Sequence, residues 1–115
     1  MVTTSDISDW VKTECFGSNK DKYAPPTAQD LVKMYEMSPI KYIANVKAPV
    51  LMALGMSDRR VPPSQGVEYY YSLKSRGIDA KMCTYKEDVH AIAKPESEAD
   101  HWVNIKEWMD TYLKK

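Results

Sequence analysis

The stretch that most limits what this chain can fold into is PVLMAL, Pro49–Leu54, closed by Gly55. A short, unbroken apolar run bounded by a glycine suits a parallel strand covered on both faces better than a half-exposed one. Parallel strands need a crossover, and the residues that follow supply one. Gln65 to Arg76 places Val67, Tyr70 and Leu73 along one side, ends in Lys74 and Arg76, and is followed by Gly77. Basic side chains in a last turn oppose the negative dipole end, and glycine is the usual residue just past it, so this segment is a helix. AKMCTY, Ala80–Tyr85, alternates weakly and reads as the second strand. Strand, helix and strand together predict a βαβ unit, with the crossover right-handed.

The flanks are read from caps and periodicity. Residues 1–26 look irregular up to the Pro25-Pro26 pair. Thr27 then caps a short helix, with Asp30 three positions on as its capping-box partner, and the helix must stop before Pro39. Ser38 to Pro49 reads as a connection with one helical turn. A last helix is expected after Pro95 with Ser97 as its cap, and Trp102, Ile105, Met109 and Tyr112 form a stripe that reads as core packing.

At 115 residues this is one domain or a piece of one. Lys+Arg and Asp+Glu both number 16, leaving no net field to attract nucleic acid or an anionic membrane. No apolar stretch approaches the roughly 18 residues of a spanning helix. No secretory signal pattern is visible, so the cytoplasm is the expected compartment. Cys15 and Cys83 are too few for a disulfide scaffold, and Cys83 is expected to be a buried small hydrophobe. His90 and His101 lack the i, i+4 spacing of a helical zinc pair and no Cys-x-x-Cys occurs, so no metal or other cofactor is expected.

Chemistry gathers outside the carboxyl ends of parallel strands. Asp58 lies four residues beyond Leu54, and His90 five beyond Tyr85. If the two strands are neighbours, both loops open on one edge. A carboxylate that accepts the Nδ1 proton of an imidazole sets its tautomer and stabilises the imidazolium formed in proton transfer. Spacing alone does not establish such a pair, because Asp after a strand is commonly a turn former and a loop His is commonly surface.

Asp6 to Trp10, Ser38 to Ile43, Asp58 to Pro62, Gln65 to Tyr70 and His90-Ala91 together resemble the acylaminoacyl-peptidase branch of the prolyl oligopeptidase family of serine hydrolases. The resemblance covers nearly the whole chain, and DRRVP followed by QGVEYY is more specific than a bare Asp-then-His order. It implies an α/β fold, the C-terminal part of an α/β-hydrolase, with roughly the last two of eight strands. Carried over, Asp58 matches the triad acid and His90 the general base, in the chain order Ser, Asp, His. The family removes an N-acylated amino acid from a short peptide through an acyl-enzyme, which needs a serine that His90 would assist.

No G-x-S-x-G occurs in these 115 residues. Gly17-Ser18 has no second glycine, and Ser57, two residues after Gly55, lacks the elbow's pair of glycines because Arg59 stands where the second would be. The nucleophile-bearing half and the family's N-terminal β-propeller are therefore expected to lie outside this sequence, and the isolated chain to be inactive. Two other readings stand beside this one. The chain could be a stand-alone, non-catalytic binding module that pairs through a strand edge, or a small enzyme using Ser57 or Cys83. In the first two, a partner is expected on the apolar edge: a second copy, residues 1–26, or the remainder of the hydrolase.

Overall fold

A computed structural model describes residues 10–17, 21 and 23–113. The chain divides into two compact units, one running up to Asn45 and one from Val46 onward.

The first unit holds helix α1 (Trp10–Phe16), helix α2 (Ala28–Glu36) and a 3-10 segment over Pro39–Asn45. Helix α1 corrects the expectation of an irregular lead-in. Its seven residues are too few to show a period, but its stop is legible: Gly17 adopts φ +72° and donates its N–H to the Thr13 carbonyl at 2.8 Å. Such a left-handed C-terminal residue costs glycine nothing. Sulfur and cation–π contacts hold α1 against its neighbours, with Cys15 Sγ 3.4 Å from Met37 Sδ and the Lys33 ammonium 4.7 Å from the Phe16 ring centroid. Thr27 caps α2 as expected. Its Oγ1 accepts from the Asp30 N–H and the Asp30 carboxylate accepts from the Thr27 N–H, which satisfies two orphan donors at once.

The second unit is the βαβ unit with a closing helix. Strand β1 (Val50–Gly55) runs parallel to β2 (Ala80–Tyr85), with Val50 opposite Ala80 and Gly55 opposite Tyr85. Helix α3 (Pro63–Ser75) connects them and α4 (Pro95–Leu113) follows. Helix α3 starts two residues earlier than expected, because Pro63 takes the first turn, where its missing N–H costs nothing. Gly77, at φ +75°, ends it. Leu54 meets α3 at Gly66, and Tyr85, one register row along, donates its hydroxyl to Asp100 on α4 at 2.9 Å. Successive rows point to opposite faces, so one helix covers each side of the sheet.

Three expectations fail here. Ser97 is not the α4 cap: the helix begins at Pro95, and the Glu98 N–H reaches the Lys94 carbonyl at 2.8 Å. A proline at the first helical position outcompetes a serine two residues further in. The apolar side chains of β1 are half-buried, not buried, and Trp102 and Met109 of the α4 stripe stay 61% and 49% exposed. The physical reason is the sheet's width. Among the described residues it has two strands, so β1 lacks a neighbour on its second edge and α4 has more apolar surface than two strands can cover.

Candidate active site

The two strands end level, and the ladder continues past them. The Met56 N–H donates to the Tyr85 carbonyl at 2.9 Å, and the Ser57 N–H donates to the Asp88 carbonyl at 2.9 Å. These bonds join the loop after β1 to the loop after β2. Gly55 makes the join possible: a Cβ there would stand 2.0 Å from the Val89 carbonyl oxygen and 2.8 Å from that of Asp88. Only a residue without a side chain lets the second loop lie this close.

Within the first loop, Asp58 is locked by its own backbone. One carboxylate oxygen, Oδ1, accepts the N–H groups of Arg60 at 2.8 Å and Val61 at 3.0 Å. That leaves Oδ2 turned to the second loop, where it lies 2.8 Å from His90 Nδ1. The two side chains differ in access, Asp58 being 11% exposed and His90 57%. Burial pushes the Asp58 carboxyl upward, but the Val61 N–H, His90 and the Arg60 N–H outweigh it and hold the group below its ordinary range. An ionised carboxylate can only accept, so the proton of the shared bond belongs to Nδ1, and in the neutral imidazole the base is then Nε2. The geometry is that of an oriented imidazole at a cleft. Ser57, Asp58, Arg59, Arg60, Val89 and His90 line that cleft, a cavity of about 430 Å³.

The other candidates stand differently. The Ser57 hydroxyl donates to the Lys86 carbonyl at 3.2 Å, a backbone anchor. Burial, opposed by Lys81 and reinforced by Asp100, raises the Cys83 thiol, which disfavours the reactive thiolate. Cys83 is half-buried, short of the full burial expected of it. Ser18 lies outside the described residues. His101 sets its ring edge-on to Tyr85, at 6.1 Å between centroids, and stacks on Trp102. Among the described residues no group of three or more His, Cys, Asp or Glu side chains is placed to hold a metal ion.

Sequence reasoning missed Gly55 as a contact residue and missed Asp88 altogether. Asp88 is 3% exposed, and its Oδ1 accepts the Ala93 and Lys94 N–H groups at 3.1 and 3.2 Å. A glycine at a strand end hints at close approach, but nothing local to Asp88 distinguishes it from any loop aspartate.

A parallel βαβ unit with a carboxylate–imidazole pair at the carboxyl edge of its strands fits the α/β-hydrolase class. Residues 1–115 match the prolyl oligopeptidase family, and the chain belongs to it. It is 42% identical over 113 residues to the acylamino-acid-releasing enzyme of Mus musculus and 37% identical over 114 residues to that of Arabidopsis thaliana. These alignments take in 98% and 99% of this chain but 15% of each relative, so the chain spans about 15% of their length. Its fold matches the uncomplexed Pyrococcus horikoshii acylaminoacyl peptidase with a TM-score of 0.74 and 28% identity, over 97% of this chain and 18% of that one. A second match, at a TM-score of 0.71 and 26% identity, is an acylaminoacyl peptidase in complex with Z-Gly-Gly-Phe-chloromethyl ketone, covering 93% of this chain and 17% of that one. No described helix is long and apolar enough to cross a membrane.

Proposed function

We propose that this chain supplies the acid and the base of a serine-peptidase triad, Asp58 and His90, to a site whose nucleophile comes from another stretch of polypeptide. The observation that carries the reading is the 2.8 Å bond between Asp58 Oδ2 and His90 Nδ1, made across 32 positions of sequence at the mouth of a parallel sheet. His90 takes the proton of an attacking serine at Nε2, becomes imidazolium, and returns the proton to the leaving amine. Asp58 holds Nδ1 and stabilises the charge without taking the proton. The substrate class is an N-acylated short peptide, from which the acylated residue is released. The names of the relatives support it, together with DRRVP and His90-Ala91, which carry the resemblance. No cofactor enters this scheme, and the cytoplasm is its compartment.

A chimaera tests the reading. This chain is substituted for the matching 113 residues of the mouse relative, and release of acetyl-alanine from a peptide is measured. The chimaera is expected to turn over. His90→Ala and Asp58→Asn should each lower turnover by several orders of magnitude, about 10⁴-fold for the latter by analogy with other triads. An Asp58→Asn loss below about tenfold removes that residue from the role.

One observation favours a second reading, a binding module. The second edge of β1 is unpaired among the described residues, beside half-buried apolar side chains, and such an edge is a template for another chain. The partner that fits is the remainder of the hydrolase or a second copy.

A further inference from the structure

His90 is more exposed than its partner, and among the described residues its one side-chain hydrogen bond goes to Asp58. A single exposed bond is too weak to order a seven-residue loop against backbone entropy. Something else must shape residues 88–94, the loop in which His90 sits.

That shaping converges on Asp88. Its N–H donates to the Tyr85 carbonyl at 3.3 Å, which turns the chain as it leaves β2. Its carbonyl accepts the Ser57 N–H from the residue next to Asp58. Its Oδ1 reaches five and six residues ahead to the Ala93 and Lys94 N–H groups, which closes the loop and meets the start of α4. One residue thus bonds the end of β2, the Asp58 loop and the two residues that lead into the last helix. Its other oxygen, Oδ2, is buried without a hydrogen bond, and the Ser97 hydroxyl does most to hold the carboxyl below its ordinary range, with the Lys94 and Ala93 N–H groups adding to it. The acceptor that matters is Oδ1.

We propose that Asp88 is the positioning residue of the His90 loop: its carboxylate and its carbonyl close residues 88–94 against the end of β1 and hold the imidazole within reach of Asp58. This rests on the reading of Asp58 and His90 as an acid–base pair, and adds the group that aligns them. The hydrogen bonds of Asp88 go to backbone groups, and the imidazole's goes to Asp58.

The test is nuclear magnetic resonance of the full chain with ¹⁵N-labelled histidine, the two imidazoles being assigned with His101→Gln. The native chain is expected to show a downfield, slowly exchanging His90 Nδ1 proton and the matching tautomer. Asp88→Ala should lose that signal and raise amide exchange at Ala93 and Lys94 by about tenfold or more, as the loss of bonds to a charged acceptor implies. The amide signals of β1 and β2 should stay in place. Asp88→Asn keeps an Oδ1 acceptor and should restore both readouts. If the native chain lacks the Nδ1 signal, the acid–base reading fails and the alignment of that pair with it. If the native chain shows it and Asp88→Ala shows it equally, the assignment of Asp88 alone is overturned. Should Asp88→Ala not fold, Asp88→Asn decides: a retained signal supports the role, and a lost one refutes it.

Discussion

Replacing Gly55 by alanine is the sharpest probe of how this site is assembled. The added Cβ would stand 2.0 Å from the Val89 carbonyl oxygen and 2.9 Å from the Val89 carbonyl carbon, whereas ordinary contact begins near 3.4 Å. The obstacle is backbone, so no rotamer relieves it. The 88–90 loop must withdraw by about 1.4 Å, the shortfall between 2.0 and 3.4 Å. A movement of that size breaks the Ser57–Asp88 bond and opens the 2.8 Å contact between Asp58 and His90. Overpacking of this kind costs about 1–3 kcal/mol. With a urea slope of about 1–1.5 kcal/mol/M for a chain of this size, the midpoint should fall by roughly 0.7–3 M. In the mouse chimaera, a misplacement near 1 Å should lower turnover by about 10²-fold. Gly77→Ala is the control. Its Cβ meets nothing within 4 Å but its φ is +75°, so it should lose about 1 kcal/mol through backbone strain while leaving His90 alone. A Gly55→Ala chain with an unchanged His90 tautomer and a midpoint within about 0.3 M of native would refute the close-approach reasoning.

Three further outcomes are expected. Asp58 is held below its ordinary value of 3.8 when folded, so its stabilisation is fully present above that value and is lost as pH falls through the lower folded one. Urea midpoints at pH 6 and pH 3 should show a drop in the native chain that Asp58→Asn reduces; equal drops in both would remove Asp58 from the acid limb. The purified chain should not label with a fluorophosphonate probe, since no G-x-S-x-G occurs in it, and a label mapped to Ser57 or Ser18 by mass spectrometry would contradict the absent nucleophile. At tens of micromolar the chain should sediment as a homodimer joined through β1, whose half-buried apolar side chains each stand to gain only part of the roughly 1.5–3 kcal/mol that full burial of an exposed side chain is worth; a well-folded monomer would dispose of that edge as an interface.

Much of this architecture was legible because its signals are local. The apolar run ending at Gly55, the capping box of Thr27 and Asp30, the stop at Gly77 and the alternation of Ala80–Tyr85 each depend on residues within one turn or one strand of each other. Helix α1 escaped because seven residues carry no period, and the start of α4 was misplaced because serine and proline compete as terminal signals only a residue or two apart. The order of Asp58 and His90 was visible too, and the resemblance attached roles to it.

What tertiary structure alone decided is the meeting of residues far apart in sequence. Asp58 and His90 come within 2.8 Å only because β1 and β2 are parallel neighbours in register, with their ends level. Gly55 is indispensable because of Val89, 34 positions on, and Asp88 matters because it bonds Ser57 behind it and Ala93 and Lys94 ahead. The half-burial of β1 and of the α4 stripe follows from how many strands lie beside them, not from their own pattern. Side-chain type states what a residue prefers to touch. Only the packed chain determines which groups are near enough to be touched, and at distances below 3 Å that decides whether an aspartate is a turn former or the partner of a base.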